Sequence, residues 1–292
     1  MKKRIAASVV IAVISGTLCW YLLRHFQLGG ADFNWACEGA HDLLVGRDPY
    51  SHTPSGAIPY PLFAAFLALP FVWMSRAAAA GAFFGLSSGL LAMGLTRDGY
   101  TGLLIFFAYP YWAALITAQW APLIMASAFY SLLLPLTMIK PQVGLPVGLT
   151  HLSWRGVVAC LAVALISFLV MPAWLLRWVP QLTGYQHFIP LLVFPGPVLF
   201  LALLRHRERS ARLLLLAAAM PQRWFYDSFI LWLIPKSRRQ IIWTVAASWV
   251  AGVWRWYHMP KSFTQVGRWT VLFIYLPMLI LVLFRGSKHE TA

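Results

Sequence analysis

Charged side chains are scarce in this chain, and acidic ones above all. Only eight of its 292 residues are Asp or Glu, and Asp, Glu, Lys and Arg together make up 11%. An ordinary soluble domain carries about 25% charged residues, because its surface must face water, so that class is excluded. Cysteine is also rare. Cys19, Cys37 and Cys160 follow no metal-ligand spacing, and only a disulfide between Cys19 and Cys37 stays open.

Apolar residues dominate: 60% of the chain is hydrophobic, and stretches long enough to cross a bilayer recur from end to end. The first of them follows Met1–Arg4; it is too long for a signal peptide and no cleavage site follows, which predicts a retained helix. We predict an all-α polytopic membrane protein that forms a single domain over residues 1–292. Its transmembrane or partial helices, about twelve in number, are predicted at 5–23, 58–75, 77–95, 101–117, 119–136, 138–152, 156–176, 189–204, 211–221, 225–235, 240–257 and 268–284.

The formal net charge is +15, and its distribution argues against nucleic acid as a partner. Basic clusters fall between apolar segments, as the positive-inside rule expects of cytoplasmic loops that also touch membrane lipids. The predicted topology places both termini in the cytoplasm of a bacterial-type cytoplasmic membrane, with Arg76 and Arg155 on the same side. The clusters are Lys2–Arg4, 205–212, 236–239, Arg285 and Lys288.

Half of the acidic residues lie in the long loop after the first helix. We predict that this loop contains an interfacial helix on the outer leaflet, since its apolar residues share one helical face and Gly46 follows them. Glu38 and Asp42 would lie on its wetter side. The four acids are Asp32, Glu38, Asp42 and Asp48, and the apolar face is Phe33, Ala36, Cys37, Ala40 and Leu44.

Asp32 allows two interpretations. It follows the first helix closely, after Gly29 and Gly30, which let the backbone turn back over the membrane. Its carboxylate could cap the interfacial helix. Alternatively, a carboxylate held there and partly removed from water could accept a proton as a catalytic base. The sequence alone leaves both open.

Lys140 is the only charged residue between Asp98 and Arg155. An ammonium at bilayer depth costs about 2.5–3.5 kcal/mol on insertion scales, so intramembrane charge is a functional hypothesis by default. The surrounding stretch carries Pro135, Pro141 and Pro146, as expected of helices that line a wet cavity. A structural lysine with a buried partner, or one that extends to the outer interface, would explain it too.

A second polar interruption, "MPQRWFYD", splits two short apolar runs at residues 220–227. It offers a further cation, Arg223, and an aromatic surface that includes Trp224 and Tyr226. Its Asp227 is expected to pair with Arg223. A third outer segment, "RWYHMPK", contributes His258 between two cations, although aromatic anchoring at the interface explains its tryptophans equally well.

Taken in order, these segments resemble GT-C membrane glycosyltransferases of glycosyltransferase family 87, which includes polyprenyl-phosphate-mannose-dependent mannosyltransferases. The resemblance covers Asp32 to about Trp154 and is thinner beyond. Four segments carry it: "ADF", "GRDPYSHTPSGAIPYPLFAAFLALPF", "ITAQWAPLIMAS" and "MIKPQVGL". In the third segment, Ala118 stands where the family usually has Gly.

The resemblance implies transfer of a sugar, mannose or another hexose or pentose, from a polyprenyl-phosphate donor to a lipid or glycan acceptor on the extracytoplasmic side. Asp32 would be the general base, and Lys140, Arg223 and Gln119 would bind the donor phosphate. No cofactor is expected, although a divalent cation stays open. Residues expected to line the substrate site are Asp48, Tyr50, Tyr60, Gln142, Trp224, Tyr226, Asp227 and His258.

Two other functions stay open: a lipid-linked sugar flippase or small-molecule transporter, and a non-catalytic scaffold of the cell envelope. Transporters tend to show symmetry-related halves and ionisable groups near the midplane of several helices. Here the charges other than Lys140 lie near the ends of apolar segments, and the acids concentrate in one loop. This distribution favours the enzyme.

Overall fold

The computed structural model describes residues 1–51, 59–183 and 185–284. Arg285, Lys288 and part of the quoted "GRDPYSHTPSGAIPYP" stretch therefore lie outside the described residues. Within these ranges the chain is helical and forms no strand. Its α-helices are α1 (Lys2–His25), α2 (Asn34–Leu44), α3 (Phe63–Ala68), α4 (Arg76–Leu95), α5 (Tyr109–Ile116), α6 (Ala121–Ala126), α7 (Pro141–Thr150), α8 (Trp154–Val170), α9 (Trp174–Trp178), α10 (Arg209–Ala219), α11 (Arg238–Tyr257), α12 (Phe263–Thr270) and α13 (Leu276–Leu283).

Shorter helical segments connect these helices. A π-helical stretch, Val271–Tyr275, joins α12 to α13 without a loop. The remaining segments are 3₁₀-helical: Ala31–Phe33, Leu69–Phe71, Thr96–Asp98, Thr101–Phe107, Ser127–Phe129, Ser131–Met138, Val179–Leu182, Pro190–Leu192, Gly196–Arg205 and Phe225–Leu233.

Three helices of the described chain are long and apolar enough to cross a membrane: Lys2–His25, Arg76–Asp98 and Phe263–Leu283. A fourth crossing is added if Trp154–Val170 and Trp174–Leu182, which meet at an angle of 82°, form one broken span. The structure thus supports a helical protein with three or four candidate spans rather than about twelve. The stretches 119–152 and 211–235 are broken into short pieces, and proline opens or interrupts several of them.

The antiparallel pair of α1 and α4 brings two candidate spans into close contact. Gly81, Gly85 and Gly89 recur at every fourth residue of α4, so they share one helical face. They meet Ala12 and Gly16 of α1 so closely that a Cβ atom added at Gly85 would lie 2.7 Å from the carbonyl oxygen of Ala12. Small residues at such an interface let two helix backbones approach each other, as in membrane helix pairs.

The predicted helix of the outer loop is present as α2, but most of its apolar face is covered by other parts of the protein. Ala36, Gly39 and Ala40 are buried, and Gly39 packs against Ala65 of α3. Leu44, which was expected on the same face, is exposed. The buried side of α2 therefore contacts protein rather than a lipid surface.

The predicted separation of Arg76 from the loop after α1 is wrong. The sequence interpretation made residues 58–75 a crossing segment, which put Arg76 on the side opposite to the loop that follows α1. In the structure the helix α3 is only six residues long, and a 3₁₀ turn containing Pro70 follows it. Arg76 consequently stays beside that loop, where its Nη2 atom lies 3.0 Å from Oε1 of Glu38.

We expect Gly85→Leu to destabilise the protein, because overpacking of a close contact costs about 1–3 kcal/mol and here the obstacle is backbone. Leu86→Phe enlarges the adjacent, exposed side chain and is the matched control. Thermal unfolding in detergent measures both. A melting temperature of Gly85→Leu equal to that of the control would contradict the packing of α1 on α4.

Candidate active site

A cavity of about 900 Å³ opens at one end of the helices, and we call it the Asp32 cavity. It is built by the end of the α1–α2 connection, the segment 59–61, the start of α7, the segment 220–226 and three further residues, Leu182, Tyr185 and His187. Its volume lies within the range usual for small-molecule sites. Six of the residues predicted from the sequence line it: Asp32, Tyr60, Lys140, Gln142, Arg223 and Tyr226.

Asp32 is held by two neutral donors. The hydroxyl of Tyr60 donates to its Oδ2 atom at 3.1 Å, and the Nε2 amide of Gln119 donates to the same oxygen. Desolvation, together with the neighbouring Asp32 carboxylate, raises the pKa of Tyr60 well above its usual value, so the hydroxyl keeps its proton. The Oδ1 atom of Asp32 has no hydrogen-bond partner among the described residues, and it is thus left to accept a proton or a donor from a ligand.

Asp32 does not cap α2. That helix begins at Asn34, its N-cap residue is Phe33, and no side chain forms a capping hydrogen bond there. Of the two interpretations of Asp32 drawn from the sequence, the structural cap is therefore wrong.

Gln119 links Asp32 to Lys140. Its Nε2 donates to Asp32 while its Oε1 accepts from the ammonium of Lys140 at 3.0 Å. Only this orientation of the amide satisfies both neighbours, since a flipped amide would turn its donor towards the ammonium. Gln119 is buried and does not line the cavity, so it positions Asp32 from behind.

Lys140 has its own carboxylate partner. Its Nζ lies 2.7 Å from Oδ1 of Asp227 and 4.7 Å from the centre of the Tyr226 ring. Lys140 is 5% exposed and Asp227 is fully buried, and Asp227 Oδ2 also accepts the backbone N–H of Arg223 at 2.9 Å. The structure thus provides the buried partner that a structural lysine requires, and Asp227 pairs with Lys140 instead of with the predicted Arg223 side chain.

Backbone turns in an unusual conformation deliver the two hydrogen-bonded residues. Ala31 (φ +47°) directly precedes Asp32, and Ala118 (φ +48°) directly precedes Gln119. At the end of α5, Gln119 N–H bonds to Ala114 O and Ala118 N–H to Leu115 O, which is a Schellman motif with Ala118 at the left-handed position. That conformation costs a residue with a Cβ atom about 1–2 kcal/mol.

Two charged side chains that line the Asp32 cavity form no ion pair within the described residues. Lys140 is paired with Asp227, and Arg76 with Glu38. The side chains of Asp32 and Arg223 have no oppositely charged group within 4.0 Å in the part of the chain that the structure describes. A carboxylate and a guanidinium that neutralise no other side chain thus line one cavity.

Five residues predicted to line the substrate site do not line the Asp32 cavity, and one of them, Asp227, is the fully buried partner of Lys140. Asp48 pairs with Arg177 outside the cavity, and the Tyr50 hydroxyl donates to the backbone oxygen of Tyr60 at 3.1 Å, which supports the cavity wall from behind. The ring of Trp224 is covered by Arg255. His258 lies in a separate apolar groove beside Trp254.

The cavity also contains residues that the sequence analysis did not assign to it. Trp35, Trp178 and Tyr185 add aromatic surface, and Tyr185 accepts a hydrogen bond from Gln142 at 3.1 Å. Arg76 was missed because residues 58–75 were taken as a span. The three prolines at positions 59, 61 and 70 were the available signal against a crossing helix there.

In residues 1–51, 59–183 and 185–284 no group of three His, Cys, Asp or Glu side chains could hold a metal ion, and the three cysteines are free.

Comparison with models of protein families, with curated proteins and with solved structures gives no match for this chain.

We expect Lys140→Met to lower the free energy of unfolding by about 3–5 kcal/mol, because it leaves the carboxylate of Asp227 buried without a counter-charge. The double variant Lys140→Met with Asp227→Leu removes both charges and should recover most of that loss. Unfolding in detergent of the wild type, both single variants and the double variant measures the coupling. Additive losses would contradict the ion pair.

We expect Ala118→Gly to stabilise the protein by up to about 1 kcal/mol, since glycine adopts the left-handed conformation without steric cost. Ala113→Gly, within the regular part of α5, is the matched control and should lose about 0.5–1 kcal/mol. Melting temperatures that fall equally in both variants would contradict the turn geometry.

Proposed function

We propose that this protein is an integral membrane glycosyltransferase that moves a sugar from a polyprenyl-phosphate donor to a lipid- or glycan-linked acceptor in the Asp32 cavity. The observation that carries the proposal is the pair of uncompensated charges: Asp32 and Arg223 line one cavity, while the other described charges in it are paired. The resemblance of the segments around Asp32, Gln119 and Lys140 to GT-C enzymes supports the same chemistry.

The reaction needs one proton acceptor and one anion site. The acceptor hydroxyl attacks the anomeric carbon of the donor and passes its proton to Asp32, whose Oδ1 atom is available. The bond between that carbon and the phosphate oxygen breaks, and the leaving polyprenyl phosphate takes the electron pair. Arg223 is placed to bind this phosphate, since a guanidinium matches phosphate oxygens with two parallel hydrogen bonds. Such a direct displacement inverts the configuration at the anomeric carbon.

The structure changes the role that we assign to Lys140. Its ammonium already contacts Asp227, Gln119 and the Tyr226 ring, which leaves it poorly placed to neutralise a donor phosphate. We assign it instead to the support of Asp32: Lys140 orients the Gln119 amide, and the amide holds the carboxylate. Arg223 then becomes the principal phosphate ligand, and Trp35, Trp178 and Tyr185 offer faces for sugar or prenyl contact.

The charge distribution supports an extracytoplasmic location for this site. Arg4 bonds to Met93 near the end of α4, and the clusters at 207–212 and 236–239 surround the same end of the molecule. The positive-inside rule places that end, and with it the start of α1, in the cytoplasm. The Asp32 cavity lies at the other end of α4 and would then face outward.

A flippase or transporter of lipid-linked sugars is the second candidate. One observation favours it: a second cavity opens at the opposite end of the helices, and α7 reaches from one cavity to the other, with Pro141 in the first and His151 in the second. Movement of a labelled lipid-linked sugar across proteoliposomes without any new covalent product would select this function over the enzyme.

We expect Asp32→Asn to reduce sugar transfer by about 10²–10⁴-fold, the usual contribution of a general base, and to leave donor binding within a few-fold of wild type. Arg223→Gln should instead weaken donor binding. Asp42→Asn makes the same chemical change in the same loop outside the cavity and is the matched control. Transfer of radiolabelled mannose from polyprenyl-phosphate mannose to membrane acceptors, with donor binding titrated separately, distinguishes these outcomes. Full transfer by Asp32→Asn would refute the assigned mechanism.

A further inference from the structure

Two neutral side chains of the Asp32 cavity bond to each other and still have unused hydrogen-bonding atoms. The Nε2 amide of Gln142 donates to the hydroxyl oxygen of Tyr185 at 3.1 Å, and both residues line the cavity. Among the described residues, the hydroxyl hydrogen of Tyr185 has no acceptor and the Oε1 atom of Gln142 has no donor. We call these two side chains the Gln142–Tyr185 pair.

Both members of the pair are held in place by other contacts. Gln142 is the second residue of α7 and follows Lys140 closely, so the buried ion pair with Asp227 anchors the start of its helix. The ring of Tyr185 stacks on that of His187, with centroids 5.5 Å apart and planes inclined by 16°. The Nδ1–H of His187 in turn donates to the backbone oxygen of Tyr185 at 2.7 Å. The pair is therefore preorganised for a ligand.

The unused atoms of the pair match a hydroxyl group. A hydroxyl both donates one hydrogen and accepts through its lone pairs, and the pair offers one donor, the Tyr185 hydroxyl, and one acceptor, the Gln142 oxygen. The opposite orientation of the Gln142 amide would exchange these roles and again leave one donor and one acceptor. An ionised phosphate only accepts hydrogen bonds, so it would leave the acceptor of the pair without a partner.

The charged neighbours of Tyr185 relate the pair to the proposed chemistry. Burial raises the pKa of Tyr185 above its ordinary value and Asp227 acts in the same direction, whereas Arg223 opposes them. The hydroxyl thus keeps its proton at neutral pH and is a neutral donor. Because Arg223 lies near enough to act on Tyr185, a sugar held through its phosphate at Arg223 would bring its hydroxyl groups to the pair.

From these features we infer that the Gln142–Tyr185 pair binds one hydroxyl group of the sugar that the protein transfers. This inference rests on the proposed function and adds to it the residues that select the sugar. Tyr185 donates to the oxygen of that hydroxyl, and Gln142 accepts its hydrogen. A site built to bond a substrate hydroxyl rejects an analogue that lacks it, because the polar atoms of the site then stay unpaired.

The test measures binding, so that its result does not depend on catalysis. Purified full-length protein in detergent is titrated calorimetrically with citronellyl phosphate, a short prenyl phosphate, and with its mannosyl, glucosyl and arabinosyl esters. The sugar ester that binds most tightly is then compared with its monodeoxy analogues, each of which lacks one hydroxyl. The same series is measured in Tyr185→Phe and in Gln142→Leu.

We expect one monodeoxy analogue to bind the wild type about tenfold or more weakly than the parent sugar ester. In both variants removal of that hydroxyl should cost less than about threefold, because its partner in the protein is already gone. Binding of citronellyl phosphate should not change, since Arg223 holds the phosphate. Tyr100→Phe, which removes an exposed hydroxyl outside the cavity, is the matched control and should keep the wild-type discrimination. Gln142→Leu keeps the test decisive if Tyr185→Phe does not fold.

The outcomes separate this inference from the proposed function. Sugar binding that discriminates through the pair, without any sugar transfer, would refute the catalysis and support the inference. Transfer by the wild type, with a deoxy series that is the same in the wild type and in both variants, would refute the inference alone. The inference is also overturned if no sugar ester binds more tightly than citronellyl phosphate.

Discussion

The buried ion pair of Lys140 and Asp227 is the interaction on which the Asp32 cavity depends. Two charges at near-complete burial are tolerated only when each has a close partner, and here Nζ and Oδ1 are 2.7 Å apart. The pair joins the start of α7 to the segment after α10, and through Gln119 it fixes the carboxylate of Asp32. Four separate parts of the chain thus meet in one polar network.

That network explains why an apolar stretch carries a single lysine. An ammonium surrounded only by hydrocarbon would lose its proton or the helix would shift to expose it. In this protein a carboxylate, an amide oxygen and an aromatic face surround Lys140 Nζ and compensate its burial. The proline that follows Lys140 starts α7 and leaves the lysine at the helix terminus, where the chain direction changes and the side chain can reach the cavity.

The sequence pointed to much of the site and to less of the fold. Asp32, Lys140 and Arg223 stood out because charge is so rare in this chain, and the structure places all three around one cavity. The partner of Lys140 could not be deduced, because Asp227 is 87 residues away and a nearer cation, Arg223, offered a local explanation. Span boundaries failed where prolines divide apolar runs into short α and 3₁₀ pieces, since hydropathy records the composition of a run but not its continuity.

Two residues beside the polar network have strained backbone conformations. Ala31 and Ala118 adopt a left-handed conformation that glycine would accept more readily, and each immediately precedes a member of the network. Unfavourable backbone conformations persist only where the surrounding structure over-determines them, and they concentrate at functional sites. The backbone N–H of Asp32 donates to the carbonyl oxygen of Thr117 at 3.2 Å, so a hydrogen bond joins the two turns directly.

The closeness of the two cavities along α7 has an electrical consequence. Pro141 and His151 line opposite cavities, and the ten residues of α7 rise only about 15 Å, half the thickness of a hydrocarbon core. In an energised membrane, water in both cavities would concentrate the voltage drop across this thin wall, at about 2.3 kcal/mol per elementary charge for each 100 mV. A lone ammonium at the base of the wall would be pulled by that field. Paired with its carboxylate, it forms a neutral dipole, and the gradient exerts almost no net force on it.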